Sequence, residues 1–283
     1  MEVFHRHGHT VIFKADDQVY YRLGQWDGFQ ECNSGFIVFD DHVAAIDATT
    51  EQSVLDMVGE SASLFKKPLT QIFLTHPHPD HVLGMKAAAQ HDIQLICRKS
   101  TAEQLKKMNM PLPRRMIVFE SRLDISEGNL HVQLFDEGCV THSPWDMLIA
   151  LPERGYVFTG DVCVPEHMLY FENADIDSWI QFMPQLRSFS LLLRGHGDFA
   201  DPSYIEKQID YLKALRKVYH ALYEKYPGSG LAEFITKARE NWPDLHEPLL
   251  DIVCSVTAEQ AISHIEQIYR ADTAVSCLVS CNT

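Results

Sequence analysis

This chain of 283 residues is short of positive charge: 24 Lys and Arg stand against 39 Asp and Glu, for a net charge of −15. A surface of that sign repels phosphate backbones and anionic lipid, so neither nucleic acid nor a membrane surface is expected as a partner. A long hydrophobic run is missing too. No stretch of about 18 apolar residues occurs, so no membrane span is expected. The opening "MEVFHRHGHTVIF" lacks an apolar segment followed by a small-residue cleavage site and does not read as a secretory signal. The seven cysteines are odd in number and scattered, with no CxxC pair. Reduced thiols in a cytoplasmic protein fit that usage better than a disulfide framework. Internal repeats and low-complexity segments are absent as well. What is present, 46% hydrophobic and 22% charged residues, is ordinary for a soluble globular protein with a large core.

The pattern along the chain is α/β and then helical. "TVIFKA", "QVYYRL", "GFIVF" and "VAAID" read as strands, followed by a helix over Glu51–Lys66 and a buried strand "QIFLTH". A helix from Asp80 to about Gln90, a strand "IQLIC" and a helix "TAEQLKKM" come next. "RMIVFE", "LHVQLF", "DMLIALP" and "YVFTGD" are again strands, and a helix near Ser178–Phe189 leads into "LLLRGH". From Ser203 the spacing turns amphipathic-helical, as in "YIEKQIDYLKALRKVYHALYEKY". The expected organisation is a catalytic α/β domain over 1–200 and a C-terminal helical extension over 201–283. That extension either caps the core or forms a homodimer face.

The densest chemistry is in "LTHPHPDHVLG", Leu74 to Gly84. A residue before proline is pushed out of the α region, so His76 before Pro77 and His78 before Pro79 are biased to extended backbone. In extended chain, residues two apart project to the same side, which brings the two imidazoles together. Asp80 falls where a helix N-cap belongs, and His81 in the first turn points back to the same mouth. Three imidazoles and a carboxylate at the end of a buried strand suit zinc or iron. Further ligand types end other strand patterns: His142 in "VTHSPWD", Asp161 in "YVFTGD" and His196 in "LLLRGHGDF", the last flanked by glycines that allow close backbone approach. The terminal "HRHGH" (His5, His7, His9) also alternates, but it has no acidic partner and no buried strand leading into it. At a terminus, where order is lowest, it reads as structural or incidental.

On "THPHPDH", His142, "FTGD" and "GHG", with "NSGFIVFDDHVAAIDATT" ending its strands in Asp47, the sequence resembles the metallo-β-lactamase superfamily over roughly residues 20–200. The resemblance implies an αββα sandwich with a dinuclear site along one edge. It implies that His76, His78 and His142 hold one metal, that Asp80, His81 and His196 hold the second, and that Asp161 bridges both. It implies two divalent ions, zinc first with iron and manganese as alternatives, and a bridging hydroxide as nucleophile that Asp80 also orients. Asp47 is a candidate to steady a ligand from behind. Some positions depart from relatives. Trp145-Asp146 follows "HSP" instead of Gly-Ser, and Val164 stands where lactonase-like members carry Tyr. Asp161 stands where the zinc lactamases carry Cys, which counts against efficient lactam hydrolysis.

Candidate substrate walls are Trp26 and Phe29 on the flap-like "GQWDGFQECN", together with Trp145, Tyr170 and Phe171. The expected function is a dinuclear metal-dependent hydrolase of a small ester, thioester, lactone or related molecule. The alternatives are an iron enzyme of the same fold, such as a sulfur dioxygenase, and a ligand-binding member with little turnover.

Overall fold

Parallel strands cannot be joined by a hairpin and need a crossover, and the first half of the chain uses hairpin-type connections first and crossovers after them. In the computed structural model, which describes residues 1–24, 32–136, 138–242 and 256–280, the chain divides into two units. The first comprises Met1–Gly138, Trp145–Asp161 and Phe189–Asp201; the second comprises Cys139–Pro144, Val162–Ser188 and Pro202–Thr283.

In the first unit, β1 (Glu2–His7), β2 (Thr10–Lys14), β3 (Val19–Leu23), β4 (Ser34–Val38) and β5 (Val43–Ile46) form an antiparallel meander. The same sheet continues in parallel through β6 (Leu69–Phe73), β7 (Gln94–Arg98) and β8 (Met116–Phe119), in strict sequence order. The crossovers carry α1 (Glu51–Glu60, extended by a π-helical turn over Ser61–Phe65), then α2 (Pro79–Val82) with α3 (Met85–Gln90), then α4 (Lys99–Lys107). A second sheet runs β13-β12-β11-β10-β9, built from β9 (Arg122–Glu127), β10 (Leu130–Phe135), β11 (Leu148–Leu151), β12 (Tyr156–Gly160) and β13 (Leu191–Arg194). Its strands are antiparallel except for the β12–β13 pair.

The first sheet is buried on both faces, which is why its central strands read as continuous apolar runs. One face packs Phe36, Ala45, Ile72 and Leu95 against Val54, Met57, Met85 and Leu105 of the helices. The other packs Tyr21, Ile37, Ile46 and Phe73 against Val132, Leu134, Ile149 and Phe158 of the second sheet. The terminal "HRHGH" is structural. It forms β1 and its turn, pairing with β2, and Phe4 is held against the rings of Tyr20 and Phe65.

The helix expected from Asp80 is different. His78 is its N-cap, at φ −65° and ψ 150°, and Pro79 occupies the first helical position. Proline's fixed φ suits that position and its missing N–H costs nothing there, so the start moves two residues earlier and Asp80 is released from capping. The helix then breaks at Gly84, where the chain turns between α2 and α3. A Cβ at Gly84 would stand 1.9 Å from the Ala48 carbonyl oxygen and 2.6 Å from that of Thr50. Gly84→Ala therefore forces backbone to move and is expected to destabilise the protein by about 1–3 kcal/mol in urea unfolding. A midpoint equal to wild type would contradict this.

The second unit is helical: α5 (Ile176–Phe182), a 3-10 stretch over Met183–Ser188, α6 (Tyr204–Lys225), α7 (Leu231–Glu240) and α8 (Ala258–Ser280). α6 buries Ile205, Ile209, Leu212, Leu215, Tyr219 and Leu222, three or four residues apart. Among the described residues no helix is long and apolar enough to cross a membrane. His264 on α8 is buried against the Phe171 ring, with Nδ1 2.8 Å from the Tyr211 hydroxyl. Burial, with His167 nearby, holds its imidazole at about 3, below the ordinary 6.5. Between those values the unfolded chain binds a proton that the folded chain refuses. Stability is therefore lost as pH falls from about 6.5 towards 3, by up to about 1.4 kcal/mol per unit. His264→Phe is expected to flatten that slope relative to wild type in unfolding measured at pH 7 and pH 5. Parallel slopes would show that His264 takes no part.

Candidate metal centre

Both sheets end their parallel strand pairs at the same kind of place. Asp47 follows β5, and Thr75 and His76 follow β6, its parallel neighbour. Asp161 follows β12, and His196 follows β13, again a parallel pair. Carboxyl ends of parallel strands, where chains diverge into loops, are the usual location of sites in α/β sheets.

Four of the expected residues converge there. Asp80, His81, Asp161 and His196 each offer one ligand atom, and these atoms lie within 4.8 Å of one another. His196 Nε2 is 2.9 Å from Asp80 Oδ2 and 3.4 Å from Asp161 Oδ2. His81 Nε2 is 3.3 Å from Asp161 Oδ1 and 3.6 Å from Asp80 Oδ2. Gly195 permits the approach, since a Cβ on it would stand 2.2 Å from Asp161 Oδ1. His76 and His78 meet as expected from their prolines, with ring centroids 4.6 Å apart, and His76 Nε2 reaches to 3.9 Å from Asp161 Oδ2.

His142 belongs to the second unit. It is buried there with Nδ1 3.2 Å from the Tyr170 carbonyl oxygen and its ring 5.7 Å from the Trp179 indole. The Trp145 and His78 rings stand nearly perpendicular, with centroids 6.3 Å apart. Tyr170 lies half-buried with its ring 6.3 Å from His142, and Phe171 is buried against Trp179 and His264. Trp26 and Phe29 lie outside the described residues.

Asp47 has a defined task. One carboxylate oxygen accepts the Thr75 N–H at 2.7 Å, both face the Thr75 hydroxyl, and Oδ2 pairs with His81 Nδ1 at 2.8 Å. Thr75 is thus a member of the site that sequence reasoning quoted without assigning. Its place directly before the histidine pair, at a strand end, is the signal that it carried. Cys32 groups with Asp47 and His81 in the same buried corner, its thiol pushed far above the ordinary range by burial.

The electrostatics fit a cation. Burial alone would lower His81 and raise the carboxylates, yet each moves the other way. The carboxylates of Asp161, Asp80 and Asp47 hold His81 well above its ordinary value. Against burial, Asp161 and Asp80 hold His196 at about 9. Against burial, His196 and His81 hold Asp161 well below the carboxylate range, and Asp80 is lowered as well. The donor set passes a simple test. With His81 Nδ1–H directed to Asp47, a neutral ring turns its Nε2 lone pair towards the oxygens of Asp161 and Asp80. Lone pairs facing lone pairs repel unless positive charge lies between them. Imidazole and carboxylate are the donors that zinc and iron accept, and a carboxylate behind the histidine fixes the tautomer they need.

Comparison with known proteins agrees with this architecture. A metallo-beta-lactamase from Pontibacter korlensis superposes with a TM-score of 0.64 at 16% identity, covering 72% of this chain and 99% of that one. One from Erythrobacter litoralis, with beta-mercaptoethanol in its active site, gives 0.62 at 18% identity, over 75% and 99%. The fold is therefore that of these enzymes, mixed sheets with helices and a C-terminal helical region. The family model of the metallo-beta-lactamase superfamily matches residues 27–218, and the chain belongs to that superfamily, whose members are in general metal-dependent hydrolases. Metallo-beta-lactamase type 2 of Bacillus cereus is 22% identical over 204 residues, 69% of this chain and 78% of that protein.

Asp47→Asn isolates the role of the carboxylate. Asn tolerates the left-handed backbone at this position, where φ is 61°, and its amide oxygen still accepts from Thr75. It offers His81 one good acceptor fewer and no charge. Metal affinity is expected to fall about 10–100-fold with the unfolding midpoint of the metal-free protein nearly unchanged. An affinity equal to wild type in chelator competition would refute that role.

Proposed function

We propose that this protein is a hydrolase that works with two divalent metal ions, zinc first, on a small ester, thioester or lactone. The observation that carries the proposal is the convergence of Asp80, His81, Asp161 and His196, with Asp47 fixing the His81 tautomer from behind. In this reading Asp80, His81 and His196 hold one ion, His76, His78 and His142 the other, and Asp161 serves both. Bound divalent ions would supply an acidified water and polarise the scissile carbonyl.

The chain's own residues divide the remaining work by exposure. The side chains of His81 and Asp161 are sealed at 0% and 8% exposed, whereas Asp80 at 19% reaches the mouth. Asp80 is the carboxylate placed to take a proton from an incoming water while His196 steadies its Oδ2. Trp145, nearly perpendicular to the His78 ring, supplies an apolar wall beside the centre and favours a substrate with a flat or aliphatic acyl group. The named relatives are lactamases; by the family resemblance Asp161 stands where zinc lactamases carry Cys, and lactams are therefore placed below esters and thioesters for this chain.

Elemental analysis of the purified protein is expected to give about two metals per chain. Hydrolysis of one class in a panel of ester, thioester, lactone, phosphodiester and lactam probes should disappear on chelation and return with added zinc. The His76→Ala/His78→Ala variant should lose it by at least about a hundredfold. A protein that takes up no metal, or a variant that turns over like wild type, would sink the proposal. Oxygen consumption with a persulfide, in place of hydrolysis, would move the chain to the iron dioxygenases.

A further inference from the structure

His196 sits on a stretch with no helix or strand of its own. β13 ends at Arg194, and glycines flank the histidine on both sides, Gly197 at φ 69°. Such a segment has little intrinsic stiffness, yet it must present Nε2 to two carboxylates. The rigidity comes from elsewhere in the chain. The backbone N–H of Asn33 donates to the Gly195 carbonyl at 2.7 Å. Its carboxamide nitrogen donates to the carbonyls of Arg194 at 3.1 Å and Gly197 at 2.7 Å. The Tyr21 hydroxyl faces the same two oxygens at 2.9 and 2.8 Å and stands against the Asn33 amide. On the other side, the Gly24 N–H donates to Asn33 Oδ1 at 2.9 Å, which fixes which way the carboxamide turns. Two amide hydrogens and one phenolic hydrogen thus serve two carbonyls and the phenol oxygen, with Tyr21, Asn33 and Arg194 buried.

We infer that Asn33 is a positioning residue: by gripping the carbonyls of Arg194, Gly195 and Gly197 it sets the place from which His196 meets Asp80 and Asp161. The consequence for metal binding rests on the proposed centre; the grip itself does not. Asn33 touches none of the reacting groups, so its effect passes through the His196 backbone. A buried donor turned into an acceptor at this point would set oxygen against oxygen, and the turn would move to relieve it.

Asn33→Asp tests this with no change of size, since it exchanges the amide donors for a carboxylate oxygen facing two carbonyls. Tyr21→Phe is the milder partner, removing one hydroxyl and leaving the carboxamide. The expected result is that part of the bound zinc leaves about 10–100-fold faster from Asn33→Asp into a chromophoric chelator, while the rest leaves at the wild-type rate. Tyr21→Phe should show a smaller acceleration of the same fraction. In the metal-free protein, the ring nitrogen resonances of His196 should shift in both variants. If Asn33→Asp fails to fold, Tyr21→Phe carries both measurements. Variants that merely lower the unfolding midpoint, with zinc release and His196 resonances as in wild type, overturn the inference. A wild type that binds no zinc sinks the hydrolase proposal, and the His196 resonances then decide the inference alone.

Discussion

The contact on which this centre depends is the Asp47 carboxylate, which joins the ends of two parallel strands to the histidine loop. Asp47 adopts left-handed backbone, a conformation that costs a non-glycine residue about 1–2 kcal/mol. The turn brings three gains. The Asp47 N–H still reaches the Phe73 carbonyl, the next residue's N–H reaches the His81 carbonyl, and the carboxylate faces Thr75 and His81. Backbone strain at one residue therefore fixes the distance between β5, β6 and α2. Without that turn the side chain would follow the strand direction, and His81 would have no partner to select its tautomer.

The second sheet meets the same requirement differently. Asp161 and His196 also end a parallel pair, and there the turn itself is held through its backbone. Backbone approach does the work: the Gly195 N–H donates to the Gly160 carbonyl at 2.8 Å, and the missing Cβ of Gly195 leaves room for Asp161. What such a turn lacks in stiffness is supplied by Asn33 and Tyr21 from the first sheet. One half of the centre is held by charge and the other by neutral hydrogen bonds to carbonyls. Charge suits the half that must select a tautomer; neutral donors suit a loop whose backbone oxygens need satisfying.

Much of this was legible in the sequence because it is local. Proline after each of His76 and His78 encodes their convergence, and the strand patterns before Asp161 and His196 mark where those residues emerge. Sequence reasoning misplaced the cap for an equally local reason: Asp is a strong N-cap former, but Pro79 outcompetes it by starting the helix itself. It also ran one helix through Gly84, where the break is set by contact with the Ala48 and Thr50 carbonyls and not by the helix's own pattern. Asn33 was quoted at the head of a strand motif and given no task. Its partners lie 161 and 164 residues away, and an asparagine before a strand looks like any other turn residue. Tertiary hydrogen bonds of this kind leave no periodicity and no spacing to read.

The electrostatics explain how such a cluster survives in a folded protein before any ion arrives. Buried carboxylates facing buried imidazoles are costly unless charge is shared between them. With His196 held at about 9, its ring is protonated at neutral pH; the neighbouring carboxylates hold His81 well above its ordinary value, and Asp161 and Asp80 are held below theirs. Protons therefore fill the role of the cation in the metal-free state. An entering metal must displace them, at about 1.4 kcal/mol for each unit by which a ring stands above the ambient pH. Asp47 adds to that work by helping to hold His81 above its ordinary value, but it engages Nδ1 and so leaves Nε2 as the nitrogen that gives up its proton. The same carboxylate that positions the ring thus also decides which face of it the metal meets.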